Sequence, residues 1–211
     1  MYLLGKKIAF PDVELAGPDG ILAIGGDLSP ERLMLAYRSG IFPWYSEGEP
    51  IVWYSPEKRM VLLPGQLRIS DSMKQLMRKN LYRVTWNKSF EEVIRACKAS
   101  PRKGQDGTWI TDEMLRAYVR LHELGHAKSV EVWREDELVG GLYGVDLGHV
   151  FCGESMFSKE SNTSKIAFIE LARSLESQNY RMIDCQVYTS HLASLGAREI
   201  PRKKFIELLR P

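Results

Sequence analysis

The sequence predicts a mixed α/β or α+β fold, a sheet flanked by helices, preceded by a small N-terminal domain. Two observations carry the class. Between residues 71 and 211 the patterns run helices, a meander of strands, helix, strand, helix, and neither a helical bundle nor an all-β sandwich gives that order. The strand-like runs are rich in Val, Phe, Tyr and Trp and short enough to be sheet members. A third observation sets a boundary: the first 58 residues are dense in Gly, Pro and aromatic residues and read as one small domain, with 59–211 as the main one.

Residues 11–28, PDVELAGPDGILAIGGDL, place turn-forming Gly, Pro and Asp around the apolar stretch 21–24. Ser29 offers a side-chain cap and Pro30 a preset first helical position, so a helix is expected from 30 to 39, stopped at Gly40. The segment IFPWYSEGEPIVWYSPEKR carries three prolines and reads as irregular. In SMKQLMRKN, Met73, Leu76 and Met77 share one helical face while Lys74 and Arg78 share another. Ser89 and Glu92 have capping-box spacing, opening a helix to about 99. A third helix should begin after Thr111, with Asp112 and Glu113 at its positive end. SVEVWR and ELVGGLYGV then read as strands joined at EDE, and HVFCGESMF as a third strand after the turn at 146–148. A helix at about 163–177, a strand at 180–188 and a helix from about 201 complete the chain.

At 211 residues and 44% hydrophobic, the chain can bury a sizeable core. No run approaches the ~20 apolar residues of a membrane span, and MYLLGKKIAF has no apolar stretch followed by a small-residue cleavage site, so a cytoplasmic location is expected. Cys97, Cys152 and Cys185 are far apart and odd in number, which argues against a disulfide framework or a cysteine zinc knuckle. The formal net charge of +2 conceals an asymmetry: residues 68–103 hold ten Lys/Arg against three Asp/Glu, a net +7, leaving −5 elsewhere. That field, which includes Arg68, Lys74, Arg78, Lys79 and Arg83, suits a polyanion.

HELGH, residues 122–126, satisfies the H-E-x-x-H zinc motif, but two histidines four apart share a metal only if the helix runs through both. Gly125 is placed to end that helix and AKSVEVW to continue as a strand, so His126 should leave the helical face, and a third ligand could only be sought at Glu131 or His149. AIGGDLSPER has glycines before a helix but neither phosphate-loop spacing, and reads as a turn. Trp44, Trp53 and Trp109 lie in Gly-, Pro- and charge-rich segments, where exposed rings serve as base-stacking platforms and buried ones pin loops; Trp133 sits in a strand pattern and should pack.

In IDCQVY, strand alternation turns Ile183, Cys185 and Val187 one way and Asp184, Gln186 and Tyr188 the other. Cys185 is then a core thiol with no histidine in its strand to activate it, while Asp184 and Gln186 project roughly 7 Å apart on one face. Cys152, Glu154 and Met156 should share a face of their own strand, and if the two strands are neighbours Glu154 joins the pair. A plain structural reading makes these polar groups a hydrogen-bonded anchor for the following loop, TSHLASLGAREIPR.

Four segments, LAIGGDLSPERLMLAYRSGIFPWYSEGEPIVWYSP, HELGHAKSVEVWREDELVGGLYGV, VFCGESMFS and IDCQVYTSHLASLGAREIPR, together resemble the bacterial leucyl/phenylalanyl-tRNA–protein transferases over nearly the whole chain. The resemblance implies a C-terminal domain of the acetyltransferase-like (GNAT) fold. It also implies transfer of Leu, Phe or less often Met from aminoacyl-tRNA to proteins beginning with Arg or Lys, which marks them for N-degron proteolysis. Carried over, it assigns Trp44 and Trp109 to adenosine stacking and Glu154, Asp184 and Gln186 to the catalytic set. The pocket for the transferred side chain would be lined by Leu142, Phe151, Met156, Phe168, Leu171, Leu175 and Ile183. Phosphate contacts would come from the basic window. An aminoacyl ester is already activated, so neither a metal nor a cofactor is implied. The rival readings are another GNAT-fold acyltransferase, whose pyrophosphate loop needs glycines that ESMFSKESNTSKIA lacks, and a non-catalytic RNA-binding module, which would have no need of the Asp184 and Gln186 pair.

Overall fold

Short apolar runs cut by turns fold the chain into two sheets. The computed structural model describes residues 2–100 and 109–211. The first sheet comprises β1 (Tyr2–Leu4), β2 (Ile21–Gly25), β3 (Phe42–Pro43) and β4 (Val52–Tyr54), in the order β1-β2-β4-β3, with helix α1 (Pro30–Arg38) between β2 and β3. Pro30 takes the first helical position as expected. Ser29 does not cap with its hydroxyl; the Asp27 carboxylate instead accepts the Ser29 backbone N–H at 2.9 Å. The fully buried Arg32 of α1 donates to Gly5 O at 2.8 Å and pairs with Asp27 at 3.2 Å, tying the N-terminal residues to the helix.

The second sheet has seven strands: β5 (Lys58–Leu62), β6 (Arg83–Trp86), β7 (Ala127–Arg134), β8 (Glu137–Asp146), β9 (Val150–Ser158), β10 (Met182–Gln186) and β11 (Arg198–Pro201). Their order is β11-β5-β10-β9-β8-β7-β6; β9 and β10 pair in parallel and every other neighbour is antiparallel. The helices are α2 (Asp71–Arg78), α3 (Phe90–Ala99), α4 (Asp112–Glu123), α5 (Thr163–Ser177), α6 (Ser190–Ser194) and α7 (Arg202–Leu209). The expected mixed α/β architecture is therefore present, and its longer elements fall where periodicity placed them. One core, holding Ile166, Phe168, Leu171 and Ile183, lies between the sheet and α5. The other joins Val93, Tyr118 and Val145 to Leu22, Tyr37 and Trp53 of the N-terminal part.

In the second sheet and its helices, four elements escaped the sequence reading. β5 opens on two basic residues, β6 has four residues, β11 mixes charges with a proline, and α6 is a little over one turn. Pro201 is tolerated because β11 is an edge strand. The segments 11–28 and 41–59, expected to be turns around an apolar stretch and an irregular run, carry real strands, and Trp53 of β4 is fully buried, donating from Nε1 to Gly25 O at 2.8 Å. It is a core residue and no stacking platform. The Ser89 capping box does not form, since the Ser89 side chain makes no cap hydrogen bond, whereas Thr111 does cap α4, accepting from Met114 N at 3.1 Å.

The helix end expected within HELGH is present. α4 stops at Glu123, Gly125 takes a φ of +83°, and His122 Nδ1 meets Ala127 O at 2.8 Å while its ring stacks on Phe90. Glu131 is buried between the hydroxyls of Thr85 and Ser129, and His149 Nε2 meets Leu209 O. No metal-binding cluster occurs among the described residues.

Candidate active site

β9 and β10 run together only from Met182↔Val150 to Asp184↔Cys152 and then part. Each carries an irregularity where they diverge. The β8–β9 register passes from Tyr143↔Ser155 to Gly144↔Gly153, leaving Glu154 as the extra residue. The β5–β10 register passes from Asp184↔Val61 to Gln186↔Met60, leaving Cys185 as the extra residue. Bulges re-aim side chains that simple alternation would place elsewhere. Met156 accordingly does not share a face with Cys152 and Glu154: it packs with the α5-side core, Cys152 with the opposite one. Gln186 adopts a φ of +63°, a conformation uncommon for a residue with a side chain.

A cleft of about 490 Å³ opens between the parted strands. Glu154 and Gln186 both face it, and Gln186 Nε2 donates to Glu154 Oε1 at 2.7 Å, joining the two strands. With the amide nitrogen so placed, Gln186 Oε1 remains available as an acceptor. Glu154 Oε2 accepts the Tyr118 hydroxyl at 3.2 Å, and Tyr118 is in turn hydrogen-bonded to the Tyr37 hydroxyl. Burial pushes the Glu154 carboxyl up from 4.5 to about 7, with the hydrogen bonds from Tyr37, Tyr118 and Gln186 working in the opposite direction. Burial, followed by the neighbouring Glu154 charge, raises both tyrosines well above their ordinary value.

Asp184 does not line the cleft. It lies fully buried behind Gln186, gripped by Arg59, whose Nε and Nη2 donate to its two oxygens at 2.8 and 2.7 Å. Oδ1 also accepts the Gln186 backbone N–H at 2.9 Å, which holds the residue in its unusual conformation. The Arg59 guanidinium is sandwiched between the rings of Phe42 and Phe205, 4.6 Å from each. Arg59 was absent from the sequence-derived site; an arginine directly before the apolar MVLL of 60–63 was the available signal.

Cys185 faces the α5-side core and contributes to the cleft floor, and burial pushes its thiol well up, as it does that of Cys152. Neither offers a thiolate nucleophile. Of the seven apolar residues assigned to the pocket, Leu142, Met156, Phe168, Leu171 and Ile183 line it. Phe151 and Leu175 do not: they are packed in the core behind that wall. Trp44 and Trp109 stand at the cleft, both half-buried, with Trp44 tilted against Tyr54. His191 also lines it, its Nε2 buried without a hydrogen-bond partner and its basicity lowered by burial and Lys165; no sequence motif had singled it out.

Among the basic residues, Arg68 is exposed beside the end of α6, its backbone N–H donating to Leu195 O. Lys74 is paired with Asp71, and Arg83 lies over Trp133. Arg78 and Lys79 are exposed with no ion pair among the described residues. Arg102 and Lys103 of the basic window lie outside the described residues.

A family model described as leucyl/phenylalanyl-tRNA protein transferase matches residues 61–210, and a second, for the N-terminal domain of the same proteins, matches residues 26–57. The leucyl/phenylalanyl-tRNA–protein transferase of Flavobacterium johnsoniae is 60% identical over 210 residues, covering 100% of this chain and 99% of that one. That of Syntrophus aciditrophicus is 59% identical over 98% of this chain and 87% of its own. The chain belongs to the leucyl/phenylalanyl-tRNA–protein transferase family. The transferase is thus an aminoacyltransferase that acts on proteins. Solved structures overlap it loosely, among them an aminoglycoside acetyltransferase at TM-score 0.40 and 13% identity, covering 63% of this chain and 89% of that one. L-PGS from Bacillus licheniformis overlaps it at TM-score 0.46 and 14% identity, over 83% and 57%.

Proposed function

We propose that the transferase moves Leu or Phe, and less readily Met, from aminoacyl-tRNA to the α-amine of cytoplasmic proteins beginning with Arg or Lys, making N-degrons. The observation that carries this reading is the junction of an apolar cleft with a polar edge: Leu142, Met156, Phe168 and Leu171 on one side, Glu154 and Gln186 on the other, two tryptophans nearby. The volume falls within the ordinary range for small-ligand sites, roughly 300–1,000 Å³. Its apolar wall suits Leu and Phe and discriminates modestly between chains that differ by a methylene.

The chemistry asks little of the protein beyond position. Placing an amine against an activated ester is worth up to about 7–11 kcal/mol. Gln186 Oε1 accepts a hydrogen bond from the attacking amine, while Asp184 orients Gln186 through its backbone N–H; with both oxygens on Arg59, Asp184 serves as an anchor better than as a base. Trp44 and Trp109 stack the terminal adenosine, and Arg68, Lys74, Arg78, Lys79 and Arg83 face the tRNA backbone. The test incubates tRNA carrying labelled Phe with matched proteins beginning with Arg or with Ala. Label in the first and none in the second is expected; no label in either removes the reading.

A further inference from the structure

We infer that Glu154 takes the proton from the acceptor's α-ammonium, on a carboxylate held for that step by two tyrosines, Tyr37 of α1 and Tyr118 of α4. The inference rests on the transfer reaction proposed above and adds to it the group that makes the amine nucleophilic.

The geometry is specific to this residue. Glu154 Oε1 holds Gln186 Nε2 at 2.7 Å, so an amine bound at Oε1 of the same amide lies one functional group away from the carboxylate. A carboxylate accepts about four hydrogen bonds, and those from Gln186, Tyr118 and Tyr37 leave room for the incoming N–H. The other acid–base candidates are less well placed. Asp184 has both oxygens on Arg59 and no exposed surface. Cys152 and Cys185 are thiols pushed well up by burial. His191 lines the same cleft but has no hydrogen bond to the Gln186 side chain.

The charged and titratable groups around Glu154 come from five elements: Tyr37 on α1, Tyr118 on α4, Arg59 on β5, Asp184 on β10 and Cys152 on its own strand. Burial raises the carboxyl to about 7, which brings proton uptake into the working range, and the tyrosine hydroxyls pull it back toward the ionised form. Tyr37 lies in the N-terminal part and Tyr118 in the main one, so the two parts meet at the proton acceptor.

In the step itself, an N–H bond of the ammonium breaks toward Glu154, and the freed electron pair forms the bond to the ester carbonyl carbon. The bond from that carbon to the ribose oxygen breaks. The leaving oxygen takes a second proton from the former amine, and Glu154 returns the first to solvent.

The experiment measures kcat and acceptor KM for transfer from Phe-tRNA to a peptide with N-terminal Arg, from mildly acidic to mildly alkaline pH. The wild type should lose kcat as Glu154 protonates below about pH 7. Glu154→Gln should lower kcat by about 100-fold, a typical contribution of a positioned base. Its acid limb should move up toward the titration of the free α-amine near pH ~8. Tyr118→Phe and Tyr37→Phe should each move the limb upward, because a lost donor makes the carboxylate more basic; a tyrosine with a purely structural role would leave the limb in place. A nonhydrolysable Phe-adenosine amide should still bind Glu154→Gln, showing an intact cleft. A Glu154→Gln profile like that of the wild type, a defect confined to acceptor KM, or a limb that moves with His191→Gln instead would overturn the inference. A wild type silent at every pH would sink the transfer reading together with it.

Discussion

Arg59 shows how much a single side chain organises here. Its ion pair with Asp184 has almost no solvent access on either partner, and the rings of Phe42 and Phe205 pack on its guanidinium. Removing one partner of a buried pair strands the other charge, so Arg59→Met should cost about 3–5 kcal/mol in urea unfolding. Arg59→Lys should recover only part of that loss, since an ammonium cannot match the two-point geometry. Glu154 gives a pH signature. Its folded-state pKa is raised from 4.5 to about 7, so the stabilisation it contributes is fully present below the lower value and is lost as pH rises through the upper one. The melting difference between wild type and Glu154→Gln should therefore shift against the wild type between those two pH values; a difference that stays flat would contradict the raised pKa. At this scale the sequence exposed Asp184, Gln186 and Glu154 but hid their partners. Arg59 sits 125 positions from Asp184, and Tyr37 sits 81 from Tyr118, separations that no local pattern spans.

Among the elements, the departures from regularity matter more than the regular stretches. Strict alternation put Cys185 on the core face, and it packs there, but it also paired Asp184 with Gln186 at one site, where the structure leaves only Gln186 at the cleft, and set Met156 on the wrong face because a bulge at Glu154 shifts the remainder of β9. A bulge adds one residue without changing residue types, so hydrophobic alternation does not reveal it. The close passage of β8 over β9 depends on Gly144, where a Cβ would lie 2.2 Å from Cys152 O. Because the obstacle is backbone, Gly144→Ala should cost about 1–3 kcal/mol or more and distort the strand that carries Glu154, seen as lowered unfolding midpoint together with lowered turnover. The start of α4 offers a milder probe. Thr111 caps Met114 N, and its own N–H donates to Trp109 O at 3.0 Å. Thr111→Val should cost about 1 kcal/mol through the lost cap and, by loosening Trp109, raise the KM for aminoacyl-tRNA. An unchanged KM would separate Trp109 from the tRNA-binding role proposed for it.

For the whole molecule, the long helices and the strand meander were legible because each runs for eight or more residues, as α5 and β8 do. The N-terminal sheet was not, since its strands are two to five residues long and owe their pairing to contacts with distant strands rather than to their own pattern. The charge asymmetry was legible in sequence, but the fold refines it. Lys74, Arg95 and Lys98 are paired with Asp71, Glu91 and Asp112, so part of the basic window is neutralised within the protein. Arg68, Arg78 and Lys79 remain exposed on the side of the sheet that carries α2 and α6. If that face meets the tRNA backbone, binding should weaken with salt, and each phosphate contact removed should reduce the slope of log K against log salt by about 0.7–0.9. Replacing Arg78 and Lys79 together by Ala should therefore flatten the slope by about two such steps while leaving kcat at saturating Phe-tRNA intact, because neither residue reaches the Glu154 and Gln186 cleft. A double variant that retains the wild-type slope would place the tRNA on another face of the sheet, even with transfer itself confirmed.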